Sequence, residues 1–220
     1  MTPPVCFDLD GCLVDSRAAI ASCINHALVD AGLEPHDEAA LHRFIGPPLL
    51  ETFTSLLTSA GHDPAGATTC IDAYRSRYAE VSLTHTTAVP GIAEVLAAVA
   101  TQRSVLVVTS KPREFAAPIL AAVGLAGHVE EVHAPALSAL EEAKAAALRR
   151  ALAPFGDALD PAAVWMVGDR HHDVDAGRAV GTRTLGVTWG IGDRAELEAA
   201  GADVVVDTPA DLLGHLGVPA

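Results

Sequence analysis

Residues 5–16 read VCFDLDGCLVDS, an apolar run that ends in two aspartates separated by one leucine. Side chains of a strand alternate between faces, so Asp8 and Asp10 are expected on the same side where the strand ends at Gly11. Two carboxylates held that close repel each other and stay ionised together only if a cation or a shared proton relieves them. The stretch therefore predicts a strand that leads into an acidic site in need of a partner.

The composition favours a folded protein that acts on a small ligand. The chain has 220 residues, of which 50% are hydrophobic, and this suffices for one domain or two small ones. Its 14 Lys and Arg against 28 Asp and Glu give a formal net charge of −14, which disfavours binding to a nucleic-acid polymer. An anionic ligand must then be bound by local groups, which are a metal ion, backbone N–H groups or the few basic side chains.

The sequence predicts a cytoplasmic protein without a membrane partner. No apolar run approaches the ~18 residues of a membrane span, and no basic segment followed by an apolar one marks a secretory signal. The cysteines at 6, 12, 23 and 70 lack the paired spacing of a zinc or redox site, so we interpret them as reduced thiols. The sequence leaves monomer and homodimer open.

Six short β-branched or apolar runs predict a parallel sheet. Most are continuous, which is typical of strands covered on both faces, and the Ala- and Leu-rich segments between them have helical periodicity. This alternation predicts an α/β fold with an open, doubly wound sheet. The predicted strands are Val5–Leu9, Val105–Thr109, Val129–His133, Val164–Val167, Thr184–Val187 and Val204–Val206, and the predicted helices are 91–101, 113–123, 139–153, 173–180 and 194–200.

Residues 16–84 interrupt this alternation with helix-like stretches separated by Gly and Pro. We interpret them as an inserted helical cap domain, and residues 1–15 and 85–220 as the catalytic core domain. Hinges near 15–16 and 84–91 would let the cap close over the strand ends. The predicted cap helices are Ser16–Ala31, Asp37–Phe44, Leu49–Gly61 and Ala67–Val81.

Polar residues follow three of the predicted strands, at the edge of a doubly wound sheet where ligands bind. They are Asp8, Asp10 and Gly11 after the first strand, Thr109, Ser110 and Lys111 after the second, and Gly168, Asp169 and Asp173 after the fourth. Lys144 begins a helix between the third and fourth strands. Such a cluster of hard oxygen ligands suits Mg²⁺, which keeps several waters and is commonly completed by a substrate phosphate.

This residue set predicts phosphoryl chemistry. Asp8 can bind the metal through one oxygen and attack phosphorus with the other, which gives an aspartyl-phosphate. Asp10, also a predicted metal ligand, would be the general acid for the leaving alkoxide and then the general base for the hydrolytic water. Thr109 can hydrogen-bond a phosphoryl oxygen, and Lys144 can neutralise charge on the phosphate and the nucleophile.

Asp169 would complete the metal shell, and Asp173, one helical turn later, would hold Lys144 or a metal-bound water. Gly11 and Ser110 are predicted substrate contacts close to the phosphate. Arg43 and Arg75, in the predicted cap, are candidates for meeting a second polar group of the substrate.

At these residues the sequence resembles the haloacid dehalogenase superfamily of phosphatases. FDLDGCLVDS matches its nucleophile motif, VVTSKP its Thr/Ser motif, Lys144 its lysine motif and VGDRHHDVDAG its acidic motif. FIGPPL at 44–49 and the stretch 188–212 look like the phosphoglycolate phosphatase and 5′-nucleotidase-like branch. The resemblance implies a Rossmann-like core, a helical cap inserted after the first motif, and Mg²⁺-dependent hydrolysis of phosphomonoesters.

The sequence departs from the family pattern at two places. Cys12 replaces a threonine that is common in the family, at a position that helps the turn rather than the chemistry. The stretch HAPALSALEEAK, 133–144, lacks the polar Asp-Gly and Arg of close relatives, so Lys111 rivals Lys144 as the catalytic lysine.

Several alternatives stay open at this point. His171 and His172 fit a solvated loop or a substrate contact better than a transition-metal site, because adjacent histidines seldom face one ion. A phosphomutase would pass the same aspartyl-phosphate to a sugar hydroxyl. A 2-haloacid dehalogenase would need neither Mg²⁺ nor an acid at Asp10, and a regulatory phospho-acceptor would carry no such insertion. We therefore predict a phosphatase of small phosphomonoesters, of the phosphoglycolate or nucleoside monophosphate type, with a phosphomutase as the alternative.

Overall fold

The computed structural model describes residues 2–138 and 142–219. The chain divides into two compact units, one formed by Met1–Asp15 together with Thr87–Ala220 and the other by Ser16–Thr86. The second unit corresponds to the predicted insertion, and its action as a cap stays a prediction.

Eight strands and ten α-helices are present in the described part of the chain. The strands are β1 (Val5–Phe7), β2 (Val14–Asp15), β3 (Thr87–Ala88), β4 (Val105–Val108), β5 (Glu131–His133), β6 (Trp165–Gly168), β7 (Arg183–Val187) and β8 (Val204–Val206). The helices are α1 (Arg17–Asp30), α2 (Glu38–Leu41), α3 (Leu49–Ser59), α4 (Ala67–Val81), α5 (Ile92–Ala100), α6 (Arg113–Ala122), α7 (Lys144–Leu152), α8 (His171–Val180), α9 (Arg194–Ala200) and α10 (Asp211–Leu216).

The first unit is built on a six-stranded sheet with the order β5-β4-β1-β6-β7-β8. All neighbouring strands are parallel, and Val5 of β1 pairs with Val105 on one side and Trp165 on the other. The chain moves outward from β1 through β4 to β5, then returns to β6 on the other side of β1. The strand order therefore reverses between β1 and β6, and ligands of doubly wound sheets bind at such a point. The predicted α/β class is confirmed.

The core lies on the faces of this sheet. Cys6, Leu106 and Met166, from three adjacent strands, pack against the apolar side of α7, including Leu148 and Leu152. Burying each leucine side chain contributes about 1.5–3 kcal/mol. This packing holds β1, β4 and β6 in fixed register, so the residues that follow these strands start from fixed positions.

The element boundaries differ from the sequence-based ones at several points. β1 ends at Phe7, two residues earlier than predicted, and α8 begins at His171 rather than at 173. Of the predicted helix 139–153, residues 139–141 lie outside the described residues, and α7 begins at Lys144. The antiparallel pair β2–β3 and helix α10 were not predicted, because two-residue strands and a six-residue helix carry too little periodicity to detect.

The second unit is helical throughout the described residues. Helix α4 packs against α1 and α3, with Tyr74 stacked on Tyr78 at 5.5 Å between ring centroids and Phe53 edge-on to Tyr74 at 6.1 Å. The predicted helix Asp37–Phe44 is divided into α2 and a 3₁₀ turn at His42–Phe44. None of the described helices has both the length and the apolar character needed to cross a bilayer.

Candidate active site

Three aspartates meet at the carboxyl ends of β1 and β6. One carboxylate oxygen each of Asp8, Asp169 and Asp173 lies within 4.8 Å of the others. Asp8 follows β1, Asp169 follows β6, and Asp173 lies in the first turn of α8. All three side chains belong to buried residues, with exposed fractions of 7%, 0% and 2%. Two segments about 160 residues apart in the sequence thus form one acidic centre.

Lys144 is the cation of this centre. Its Nζ donates a hydrogen bond to Oδ1 of Asp173 at 2.5 Å and lies 2.8 Å from Oδ1 of Asp8. The second contact is an ion pair between two buried groups, the Lys144 ammonium and the Asp8 carboxylate. Lys111, its rival in the sequence, lies instead 3.1 Å from Oδ2 of Asp10.

Burial dominates the electrostatics of the centre. It raises the pKa of Asp8 to about 6, with further increases from the charges of Asp173 and Asp10 and a decrease from Lys144. Burial, followed by the charges of Asp173 and Asp8, also holds the pKa of Asp169 well above its usual range. For Lys144 burial alone would lower the pKa, but the two carboxylates outweigh it and raise the pKa. The centre therefore carries more buried negative charge than one ammonium can balance.

The donor set fits a hard divalent cation. Oδ1 of Asp169 is buried and accepts no hydrogen bond from the described residues, whereas its Oδ2 accepts one from the backbone N–H of Ile191 at 2.7 Å. A buried, unpartnered carboxylate oxygen beside a second carboxylate is costly unless a proton or a metal neutralises it. Carboxylate oxygens are the preferred ligands of Mg²⁺ and Ca²⁺, so the residues present can hold such an ion.

Glycines surround Asp169 closely. Gly11 adopts φ +79°, and a Cβ there would lie 2.1 Å from Oδ2 of Asp169. A Cβ at Gly190 would lie 2.3 Å from the same oxygen, and one at Gly192 would lie 2.1 Å from the Asp169 carbonyl oxygen. Gly11, a predicted substrate contact, therefore also makes room for Asp169. Sequence reasoning missed Gly190 and Gly192, although WGIGD directly after a strand end was the available signal.

Asp10 is not one of the three aspartates whose oxygens lie within 4.8 Å of one another, although its charge contributes to the raised pKa of Asp8. Its side chain is 16% exposed and is paired with Lys111. The alternation that placed Asp8 and Asp10 on one side applies only within a strand, and β1 ends at Phe7. The chain then turns at Gly11, whose N–H donates to the carbonyl of Val14. The metal and acid–base roles of Asp10 stay predictions.

Thr109 follows β4, the neighbour of β1, and is buried. Its Oγ1 accepts a hydrogen bond from the N–H of Lys111 at 3.2 Å, which forms a tight turn after the strand. Ser110, between them, is exposed.

Arg43 and Arg75 lie in the helical unit. The Arg43 guanidinium is 4.8 Å from the centroid of the Phe44 ring. Nε of Arg75, on α4, is buried and has no hydrogen-bond partner among the described residues. Their predicted contact with substrate stays a prediction.

A second cluster, missed by sequence reasoning, adjoins the aspartates. Oε1 of Glu196 accepts hydrogen bonds from Nε of Arg170 at 2.8 Å, the N–H of His171 at 2.9 Å and, at 2.7 Å, Nδ1 of His171. Burial alone would raise the pKa of Glu196, but these donors outweigh it and lower the pKa to about 2. His172 has a lowered pKa, chiefly because of burial. Both histidines lie in the first turn of α8, the element that carries Asp173.

Comparison with known proteins places this geometry in a family. The family model of the haloacid dehalogenase-like hydrolases matches residues 5–187. A protein named 5′-nucleotidase from Pseudomonas aeruginosa is 34% identical over 198 residues, which cover 90% of this chain and 87% of that protein. A phosphoglycolate phosphatase from Pectobacterium atrosepticum is 31% identical over 214 residues, covering 96% and 91%.

A solved structure with a similar fold supports the assignment to this family. The structure of protein tyrosine kinase A from Mycobacterium tuberculosis covers 99% of both chains with a TM-score of 0.81 and 31% sequence identity. The family model, the two relatives and the solved structure all agree with an acidic centre at the ends of β1 and β6. The chain therefore belongs to the haloacid dehalogenase-like hydrolases, and the predicted phosphatase class of enzyme is confirmed.

Proposed function

We propose that the protein is a Mg²⁺-dependent phosphatase that hydrolyses small phosphomonoesters through phosphorylation of Asp8. The observation that carries the proposal is the meeting of Asp8, Asp169 and Asp173 around Lys144, at the point where the strand order reverses. Asp8, Asp169 and Asp10 would hold the ion, and Asp173 would hold Lys144 in place through their hydrogen bond. Bound Mg²⁺ would neutralise charge on the phosphoryl group and on the carboxylates.

The first step uses Asp8 as the nucleophile. One of its carboxylate oxygens attacks phosphorus, and the bond between phosphorus and the leaving alkoxide breaks. Asp10 gives its proton to the alkoxide, and Thr109 donates a hydrogen bond to a phosphoryl oxygen. The positive charge of Lys144 lowers the pKa of Asp8, which favours the ionised form that attacks.

The second step regenerates the enzyme. Asp10, now a carboxylate, accepts a proton from a water molecule that attacks phosphorus. The bond between phosphorus and the Asp8 oxygen breaks, so that inorganic phosphate leaves and Asp8 is again a carboxylate. In the first step an anionic carboxylate attacks an anionic substrate, and in the second a water loses its proton beside that same charge. A divalent cation would offset this excess negative charge, which supports the proposed metal dependence.

The substrate class rests on the relatives. Their names, 5′-nucleotidase and phosphoglycolate phosphatase, make nucleoside monophosphates and phosphoglycolate the leading candidates. We further propose that Ser16–Thr86 acts as a cap that selects among them, with Arg43 and Arg75 as contacts for a second polar group. The proposed setting is cytoplasmic, with a small phosphate ester as the only required partner.

The experiment is hydrolysis of a generic aryl phosphate with Mg²⁺ and with EDTA, followed by a panel of small phosphate esters. Wild type should turn over only with the metal, and Asp8→Asn should lose activity by a factor on the order of 10³ or more. Asp175→Asn, at an exposed position of α8, is the matched control and should stay active. An inactive wild type, or full turnover in Asp8→Asn, would show the proposal to be wrong. Transfer of phosphate to a sugar or a tyrosine, instead of to water, would mark a transferase.

A further inference from the structure

The segment that runs from the end of β7 through the first turn of α9 is attached at two points to the residues around Asp169. At its middle, the Ile191 N–H donates to Oδ2 of Asp169. At its end, Glu196 accepts three hydrogen bonds from Arg170 and His171, the two residues that follow Asp169. Both attachments lie within the same compact unit as the acidic centre. The segment therefore forms one wall of the Asp169 position.

Glu196 is itself held in place by its helix. The N–H of Glu196 donates to the capping side chain of Asp193 at 2.8 Å. The next residue, Leu197, is fully buried and packs so tightly on β7 that a Cβ at Gly186 would lie 2.9 Å from one of its methyl groups. A carboxylate on such a fixed support can orient the groups that donate to it.

The groups that Glu196 binds lie between two aspartates of the centre. Arg170 follows Asp169 directly, and its N–H donates to Oδ2 of Asp173 at 3.1 Å. A shift of the Arg170–His171 backbone would therefore move both carboxylates at once. Only Asp169 and Arg170 lie between the end of β6 at Gly168 and the start of α8 at His171, so the bonds to Glu196 act directly beside Asp169.

We infer that Glu196 is a positioning residue, which holds the turn between Asp169 and Asp173 in the geometry that binds the metal ion. The inference rests on the proposed function and assigns that site a residue outside the four family motifs. Glu196 touches neither the reacting atoms nor the metal ligands, so its effect on the reaction passes through Arg170 and His171.

The test compares Glu196→Gln with Glu198→Gln. Glu198 lies on the same helix, is 59% exposed and is 3.4 Å from Arg194, so it is the matched control. In the metal-free protein, the Ile191 amide should exchange with deuterium about tenfold faster in Glu196→Gln than in wild type. The Mg²⁺ concentration for half-maximal aryl phosphate hydrolysis should rise about tenfold, with a smaller fall in kcat at saturating Mg²⁺. Glu198→Gln should match wild type in all three measurements.

His171→Phe provides a second variant that keeps the backbone donor and removes the one at Nδ1. It should give a smaller change in the same direction, and it serves as the test if Glu196→Gln does not fold. If the folded variants show wild-type amide exchange and wild-type Mg²⁺ dependence, the inference is wrong, but the proposed function is unaffected. A wild type without Mg²⁺-dependent turnover would overturn the proposed function, and the inference with it.

Discussion

Asp8 is the residue whose environment defines the chemistry of the centre. It is 7% exposed, and burial raises its pKa to about 6 although Lys144 lies 2.8 Å away. A buried carboxylate with a raised pKa is less often ionised at a given pH and therefore attacks less readily. A divalent cation would reverse this shift, since it favours the charged form. The same property makes Asp8 measurable without any substrate.

The stability of the metal-free protein should depend on the proton of Asp8. The folded-state pKa lies above the ordinary value of 3.8, so the folded protein binds the extra proton between about pH 4 and pH 6. The contribution to stability is present below about pH 4 and is lost as the pH rises through 6. In EDTA, wild type should lose about 2–3 kcal/mol relative to Asp8→Asn between pH 4 and pH 7, measured by urea unfolding. Equal pH profiles for the two proteins would contradict the burial argument.

Lys144 should contribute far more to stability than a surface lysine or arginine. Lys144→Met leaves the carboxylates of Asp8 and Asp173 buried without their cation, which costs about 3–5 kcal/mol. Arg77→Met, which removes a solvent-exposed ion pair to Glu80, should cost less than about 1 kcal/mol. Urea midpoints at pH 7 in EDTA measure both. A loss as small as that of Arg77→Met would show that Asp173 and Asp8 do not depend on Lys144.

The sequence predicted that Asp8 and Asp169 would lie together, but not all of the pairings around them. Asp8 and Asp169 were predictable because each directly follows a buried apolar run, and parallel strands deliver such residues to one edge. The pairing of Asp10 with Lys111 depends on the turn after Phe7, and the closeness of Asp173 depends on α8 beginning at His171. Boundaries of this kind are set by tertiary packing, which a single strand or helix pattern does not contain.

At the level of elements, the segment from β7 to α9 packs closely against the proposed metal site. Gly190→Ala would place a Cβ 2.3 Å from Oδ2 and 2.4 Å from Cβ of Asp169. Asp169 must move, so the Mg²⁺ concentration for half-maximal hydrolysis should rise at least about tenfold.

The matched control for this prediction is Gly214→Ala in α10, where a Cβ would meet nothing within 4 Å. Alanine is the better helix former, so this variant should keep its Mg²⁺ dependence and gain up to about 1 kcal/mol in stability. If both alanine variants keep wild-type Mg²⁺ dependence, the close packing at Gly190 has no functional consequence.

Elements were predictable when they carried an apolar run or a helical period long enough to detect. Most of the six main strands came from continuous apolar runs such as VLVV in β4, which is buried at all four positions. The β2–β3 pair escaped prediction because each strand has only two residues, with Val14 paired with Ala88 and Asp15 with Thr87. Glu196 escaped because a glutamate in the first turn of a helix is common for reasons of helix polarity alone.

For the whole molecule, the reversal of strand order and the net charge act together. The reversal places the ends of β1 and β6 side by side, so that Asp8 and Asp169 come together from opposite ends of the chain. The formal net charge of −14 gives an anionic substrate no general attraction. Binding of a phosphate ester would therefore depend on local positive charge, from Lys144 and the proposed metal ion, which would link substrate affinity to the metal.

The first compact unit should fold without Ser16–Thr86. Asp15 and Thr87 are paired neighbours in the antiparallel β2–β3 ladder, so a two-residue Asn-Gly turn can join them. The sheet, helices α5–α10 and the three aspartates all remain in the shortened chain.

The shortened chain should unfold cooperatively, so that its near-UV and far-UV circular dichroism transitions coincide. Mg²⁺ should raise its Tm, and the substitution Asp169→Asn in the shortened chain should abolish that rise. It should also hydrolyse an aryl phosphate while discriminating less among small phosphate esters than the full chain. Non-cooperative melting would show that the helical unit is needed for the core to fold, and unchanged discrimination would contradict its proposed action as a cap.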